Sequence, residues 1–201
     1  NTFMGMKVNV EYAPSLSSAD AGDGASGGAT TVQDGTSLNF AITNDTLVDG
    51  LSFGFGHGEN DYDHVSGDIV NIDTSSTTAH ANYAFGPVTA GVTSSYTSGS
   101  TSATGTTIGA NEVLIYGIAF NVNDNLSVSY GEHYSFKAGY NSSDARTCQD
   151  PACRRVEVSS TQVAYTMGGA SVRVADINAD NIGFSGGTNR SATVISLGLA
   201  F

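Results

Sequence analysis

The sequence predicts an all-β protein: an antiparallel transmembrane β-barrel with about ten strands in this chain. Three observations support the prediction. Short segments alternate large and small side chains, no segment has a convincing helical period, and long polar connections alternate with tight turns. All 201 residues are assigned to one domain, 1–201. The predicted strands are 2–13, 37–44, 50–58, 76–86, 88–97, 111–122, 126–137, 157–167, 170–176 and 190–201.

The alternation holds from the first strand to the last. In the first, one face carries Met4, Met6, Val8, Val10 and Tyr12. In the seventh, Leu126, Val128 and Tyr130 lie opposite Ser127, Ser129, Gly131 and His133. In the last, Thr193, Ile195, Leu197, Leu199 and Phe201 share a face, and small residues occupy the other. One face suits lipid and the other an aqueous lumen.

The connections alternate in length along the chain. Tight ones at 43–50, 86–87, 123–125 and 168–169 contain the Gly, Pro, Asn and Asp that hairpins need. Long polar ones fall at 14–35, 59–75, 98–109, 138–156 and 177–189. Long loops at one end and short turns at the other are typical of an outer-membrane barrel, with the short turns facing the periplasm.

Composition excludes several other classes of protein. The chain has 25 Gly and only 13% charged residues, so it is too apolar for disorder, and it has no run of about 18 apolar residues that could form a membrane helix. With 7 Lys and Arg against 19 Asp and Glu, nucleic acid is not an expected partner. A soluble β-sandwich remains an alternative, because alternating strands also occur there.

The closing segments resemble those of outer-membrane porins of the general diffusion type, in particular porins from marine Gram-negative bacteria. The likeness is carried by 165–176 and by 192–201, which ends on an aromatic residue. It implies an integral outer-membrane protein with a periplasmic C-terminus, in contact with lipid and lipopolysaccharide. It also implies a homotrimer that passes small hydrophilic solutes and ions through a water-filled channel, with no cofactor and no enzymatic activity.

The small side chains of the inward face also favour an open channel over a plugged barrel. About 16 strands are needed for such a channel. We therefore expect this chain to be the C-terminal portion of a larger, roughly 16-stranded barrel.

Strand phase selects the candidate pore-lining residues. The charged or imidazole side chains that share the inward phase are Lys7, Glu11, His80, His133, Lys137 and Arg173. Charges on the wall of a pore create a field that orients solutes and biases ion selectivity. The alternative is that each is simply a solvated side chain. Acidic residues concentrate in the long connections, which predicts a mild cation preference.

Two further features fall in the long connections. Glu59, Asp61 and Asp63 are weak candidates for Ca²⁺ or Mg²⁺ ligands, because a complete calcium-loop pattern is absent. No other metal site is predicted. Cys148 and Cys153 are expected to form a local disulfide in an oxidising envelope compartment.

Other functions stay open. A closed ten-stranded outer-membrane barrel could act as an adhesin or a structural protein. A protease at the barrel rim is a further alternative, for which His57, Asp63 and His64 are the residues to consider, although their spacing matches no catalytic pattern.

Overall fold

The fold was obtained as a computed structural model, which describes residues 5–14, 35–62, 74–101, 107–140, 146–147, 155–184 and 186–199. Eleven strands are assigned in these ranges. They are β1 (Lys7–Ala13), β2 (Gly35–Asn44), β3 (Leu51–Tyr62), β4 (Thr74–Phe85), β5 (Val88–Thr101), β6 (Thr107–Asn121), β7 (Leu126–Tyr140), β8 (Arg146–Thr147), β9 (Val156–Met167), β10 (Ala170–Asp180) and β11 (Arg190–Leu199). A short 3₁₀ turn, Ile182–Phe184, follows β10.

The strands form one antiparallel sheet in which neighbours in sequence are neighbours in space. The order is β1-β2-β3-β4-β5-β6-β7-β9-β10-β11, and the two-residue β8 pairs with the end of β7. This confirms the all-β, antiparallel fold class with ten long strands. Within the described residues, no helix is long and apolar enough to cross a membrane.

Several strands run further than the sequence predicts, always at the end with the long connections. β3 continues to Tyr62 rather than residue 58, and β10 continues to Asp180 rather than residue 176. Polar residues end the alternating pattern there, but cross-strand pairs such as Asp180 with Glu157 continue the ladder. Backbone pairing thus extends the strands beyond the residues that a hydrophobic pattern can identify.

The tight turns lie together at the opposite end of the sheet, and their chemistry matches the prediction. The Asn44 side-chain oxygen accepts hydrogen bonds from the backbone N–H groups of Thr46 and Leu47 at 3.0 and 2.8 Å. Gly86 and Gly168 have positive φ values of 55° and 58°, a conformation that favours glycine. These local turns set the register of the hairpins.

The register gives the sheet two chemically distinct faces. The face called here the polar face is defined by the cross-strand row Lys7, Thr43, Gly54, His80, Thr93, Ile115, His133, Val158, Ala179 and Arg190. The face called here the apolar face is defined by the row Val8, Ile42, Phe55, Ala79, Ser94, Leu114, Tyr134, Glu157 and Asp180.

The sheet has almost no hydrophobic core among the described residues. The only buried apolar side chains there are Ala110 and Ala175. Large apolar side chains are instead exposed on the apolar face: Ile195 is 72% exposed and Leu197 is 65% exposed. A soluble protein buries such side chains, so this face needs a covering that the described residues do not supply.

The sheet is open along both edges. Among the described strands, β1 pairs only with β2 and β11 pairs only with β10, so the pairing does not join β1 to β11. The closed barrel expected from the sequence is therefore not formed by these strands alone. The backbone N–H and C=O groups on the outer edges of β1 and β11 have no ladder partner within the described part of the sheet.

Candidate functional site

All six residues selected by strand phase lie on the polar face. Lys7, His80 and His133 belong to the same cross-strand row. Glu11 and Lys137 share a second row four residues further along the strands, through Asn39, Gly58, Ser76, Thr97 and Asn111. Arg173 lies on the same face and pairs with Ala164 and Ser196. Whether this face lines a pore stays a prediction.

Charges are sorted between the two faces. All four Lys and Arg residues of the ten long strands lie on the polar face: Lys7, Lys137, Arg173 and Arg190. Of the strand carboxylates, only Glu11 shares that face. The other seven lie on the apolar face, mostly toward the long connections: Glu59, Asp61, Glu112, Glu132, Glu157, Asp176 and Asp180. The polar face is therefore positively charged on a chain whose formal net charge is -12.

Glycines let larger polar side chains lie flat on the polar face. A Cβ at Gly54 would overlap the ring of His80, its cross-strand partner. Gly91 makes the same space for the Asn82 side chain. A polar side chain opposite a glycine thus lies against the backbone and protrudes less from the polar face.

The apolar side chains run obliquely across the sheet. On β1 the middle of three apolar side chains is Val10, and on β11 it is Leu197. The two rows can be compared on β7. The cross-strand row of Val10 includes Phe136 on that strand, and the cross-strand row of Leu197 includes Leu126. The two levels differ by 136 − 126, or 10 residues, over the nine strand-to-strand steps of the sheet.

That slope gives the tilt of the strands away from the perpendicular to the line of apolar side chains. Ten residues at about 3.3 Å correspond to about 33 Å along the strands, and nine steps at about 4.8 Å correspond to about 43 Å across them. The tilt is therefore about 37°. Strands of transmembrane barrels tilt by about 35–45°.

The distance of each charged residue from this line, measured along its strand, gives its level between the tight turns and the long connections. Glu11 is adjacent to Val10 on the line, and Arg173 is adjacent to Val172, the partner of Leu197. The line descends toward the tight turns by about one residue per strand. On β4, three strands from β1, it therefore lies about three residues below the cross-strand row of Val10, at the level of His80. Glu11, His80 and Arg173 therefore lie level with the middle of the apolar side chains. Lys137 and His133 lie toward the long connections, and Lys7 lies toward the tight turns.

Two of the six candidate residues contact neighbouring side chains. The Lys7 ammonium lies 3.7 Å from the Asp45 carboxylate in the first tight turn, and both side chains are exposed. The Lys137 ammonium lies 5.9 Å from the ring centroid of Phe184, in a cation–π contact. In contrast, the buried Nε2 of His133 has no hydrogen-bond partner among the described residues.

A polar cluster on the apolar face escaped the sequence analysis. The Glu132 carboxylate accepts hydrogen bonds from the hydroxyls of Tyr116, Tyr130 and Tyr134. The guanidinium of Arg155 lies 4.3 Å from the ring centroid of Tyr134. The alternating spacing of Tyr130, Glu132 and Tyr134 on one strand was the available signal, but the cross-strand contribution of Tyr116 depends on the register.

An ion pair borders this cluster. Arg155 donates from Nη2 to Oε1 of Glu157 at 2.6 Å, and this hydrogen bond raises the pKa of Arg155. Both side chains are about half exposed, so the pair is a weak stabilising interaction.

The weak metal candidates are only partly described. Glu59 and Asp61 lie on the apolar face, and Asp63 lies outside the described residues. Within the described ranges, no group of three or more His, Cys, Asp or Glu side chains could hold a metal ion. The Glu59 carboxylate instead lies 3.0 Å from Nε2 of His57, whose Nδ1 lies 2.7 Å from the Thr77 hydroxyl.

Other predicted residues cannot be placed. Cys148 and Cys153 lie outside the described residues, so their disulfide stays a prediction. His64, considered for a protease site with His57, also lies outside them.

Comparison with protein-family models, with curated proteins and with solved structures finds no match to this chain.

Proposed function

We propose that the protein is an outer-membrane porin, whose apolar face contacts lipid and whose polar face lines a water-filled channel for small hydrophilic solutes and ions. The observation that carries this proposal is the distribution of side chains over one sheet. Large apolar side chains such as Ile195 are exposed on one face, while the other face carries small polar residues and the cations. A soluble protein buries its large apolar side chains, whereas this sheet exposes them on one face. The distribution fits a sheet with lipid on one side and water on the other.

The tilt of about 37° supports the same proposal. A band of lipid-facing side chains must stay level in a membrane while the strands that carry it tilt. The oblique line from Val10 to Leu197 has this property. A random distribution of exposed apolar residues would have no reason to follow it.

The open edges support a barrel that is larger than these ten strands. The outer edges of β1 and β11 have no partner strand within the described part of the sheet, and unpaired backbone groups are not tolerated in lipid, so the proposal requires these edges to be covered. We infer a closed barrel of about 16 strands, of which this chain supplies the C-terminal part. The tight turns and the C-terminus then face the periplasm, and the long connections face lipopolysaccharide. The proposal includes a homotrimer, as in the porins that the sequence resembles.

In this channel Glu11, His80 and Arg173 lie at mid-depth. On the polar face of the described strands, four cations against one carboxylate give the wall a positive potential, which opposes the cation preference expected from the acidic long connections. The channel is therefore acidic at its long-connection mouth and basic along this part of its wall. Small-residue positions such as Gly54 and Gly91 keep the lumen open.

Single-channel recording of the native protein in a planar lipid bilayer tests the proposal. We expect stepwise conductance increments, in groups of three if the assembly is a trimer, that grow with salt concentration. Absence of conductance from correctly folded protein would contradict the proposal and favour a closed barrel that acts as an adhesin or a structural protein.

A further inference from the structure

One region of the polar face departs from its small, polar composition. Four larger apolar side chains adjoin His133 there and a fifth, Ile177, lies diagonally next to Val158. We call these five the apolar patch: Val113, Ile115, Val156, Val158 and Ile177. Ile115 and Val158 are the direct cross-strand partners of His133. Val113 and Val156 are the partners of Ser135, in the next row toward the long connections. The patch is therefore a contiguous surface across strands β6, β7, β9 and β10.

The centre of the patch is shielded from solvent, but its outer surface on the polar face is accessible. Nε2 of His133 is shielded from solvent and has no hydrogen-bond partner in the described part of the chain, which indicates that neighbouring groups exclude water from this nitrogen. Ile115 nevertheless remains 43% exposed, and the other four members of the patch are half-buried. An apolar group in the lumen can thus contact the patch without any rearrangement of the sheet.

A fixed positive charge borders the patch. Lys137 lies on the same strand and face as His133, beyond Ser135. Its ammonium is positioned by the ring of Phe184, in the turn Ile182–Phe184 that packs against β9. On strands β6 to β11, the described residues of the polar face include Lys137, Arg173 and Arg190 but no carboxylate. A cation beside an apolar surface, with no competing anion on that face, is complementary to an amphipathic anion.

We propose that the apolar patch and Lys137 form a binding subsite for small monocarboxylates that carry a hydrocarbon chain. The carboxylate lies at the Lys137 ammonium, and the chain covers Val156, Val158 and Ile115. This inference deepens the proposed channel function and rests on it, because the polar face must be accessible from water. Such a subsite raises the local concentration of amphipathic anions within the pore and so favours their passage over that of more polar anions.

Hexanoate is the probe, and acetate is the matched control with the same charge but too short a chain. In planar bilayers that contain the native protein in chloride solution, we expect hexanoate to reduce the chloride current in a saturable manner. Acetate at equal concentration should have a much weaker effect. The variants Val158→Ser and Lys137→Gln should each raise the half-saturating hexanoate concentration by about tenfold, since each removes one of the two contacts.

Val194→Ser is the control variant, because Val194 is an exposed apolar residue of the polar face on β11, outside the patch. It should leave the half-saturating hexanoate concentration unchanged. Equal effects of hexanoate and acetate, or an equal shift in all three variants, would overturn the subsite.

Direct binding separates failure of the subsite from failure of the channel proposal. Saturation-transfer NMR of hexanoate with the protein in nanodiscs needs no conductance, and empty nanodiscs correct for uptake into lipid. A signal that Val158→Ser and Lys137→Gln weaken, but Val194→Ser does not, supports the subsite even if no current is observed. A signal identical in all four proteins would overturn the subsite even if the protein conducts ions.

Discussion

The ring of His80 lies directly over Gly54, its cross-strand partner on the polar face, so closely that a Cβ on Gly54 would overlap it. In the proposed channel, this pair lets the wall carry a large polar side chain without narrowing the lumen. The imidazole uses the space that the missing side chain leaves, and it lies level with the middle of the apolar side chains on the opposite face.

Gly54→Ala should therefore destabilise the protein, because the added methyl group displaces the ring of His80. We expect a loss of about 1–3 kcal/mol, the usual cost of overpacking, measured by urea unfolding of the folded protein in detergent. Gly56→Ala is the matched control, since the nearest atom to a Cβ at Gly56, the Phe40 carbonyl oxygen, is 3.8 Å away. His80→Ala should remove the penalty of Gly54→Ala in the double variant; an unchanged penalty would contradict the close packing.

Arg173→Ala should lower the permeability of anions relative to cations. Arg173 is a cation of the polar face at mid-depth, so its removal weakens the positive potential of the proposed wall. The measurement is the reversal potential across a planar bilayer under a salt gradient. Arg155→Ala removes the same charge outside the strands and should shift the reversal potential less. Unchanged reversal potentials for Arg173→Ala would remove this residue from the pore lining.

Ile118→Arg and Ala119→Arg should differ strongly although they change adjacent residues. Ile118 lies on the apolar face and is 52% exposed, whereas Ala119 lies on the polar face. An arginine that faces lipid near the bilayer midplane costs about 2–4 kcal/mol, but one that faces a wide lumen costs little. Folding into lipid vesicles, measured by urea titration, should report a large loss of stability only for Ile118→Arg. Similar losses for both variants would contradict the assignment of the faces.

Glu132→Ala should lower the thermal stability of the protein, because three tyrosine hydroxyls lose their common acceptor. Glu132→Gln keeps an acceptor oxygen and should lower the unfolding temperature less. The readout is thermal unfolding followed by circular dichroism. If both variants unfold at the temperature of the native protein, the tyrosine cluster contributes nothing to stability.

The sequence predicted most of the fold because two local signals coincide in this chain. Alternation identified the ten long strands, and turn residues such as Asn44 and Gly168 marked the tight connections. Strand ends were less accurate where polar residues continue the ladder, as in β10 up to Asp180. Hydrogen bonding between neighbouring strands, rather than side-chain pattern, determines those ends.

Phase within a strand also placed the six candidate residues on one face, since alternation fixes the face without knowledge of the register. Relations between strands were beyond the sequence. The positions of His80 over Gly54 and of Glu132 among three tyrosines depend on pairing across strands. The cation–π contact of Lys137 with Phe184 depends on the path of the connection after β10, which carries no repeating pattern.

Spin labels at positions 194 and 195 provide the most direct test of the central claim, that the two faces of the sheet contact water and lipid. Val194 and Ile195 are adjacent on β11 but point to opposite faces. In lipid vesicles, we predict that a label at 195 collides mainly with molecular oxygen, which partitions into lipid, and that a label at 194 collides mainly with a water-soluble nickel complex. Equal access of the nickel complex to both labels would contradict the claim.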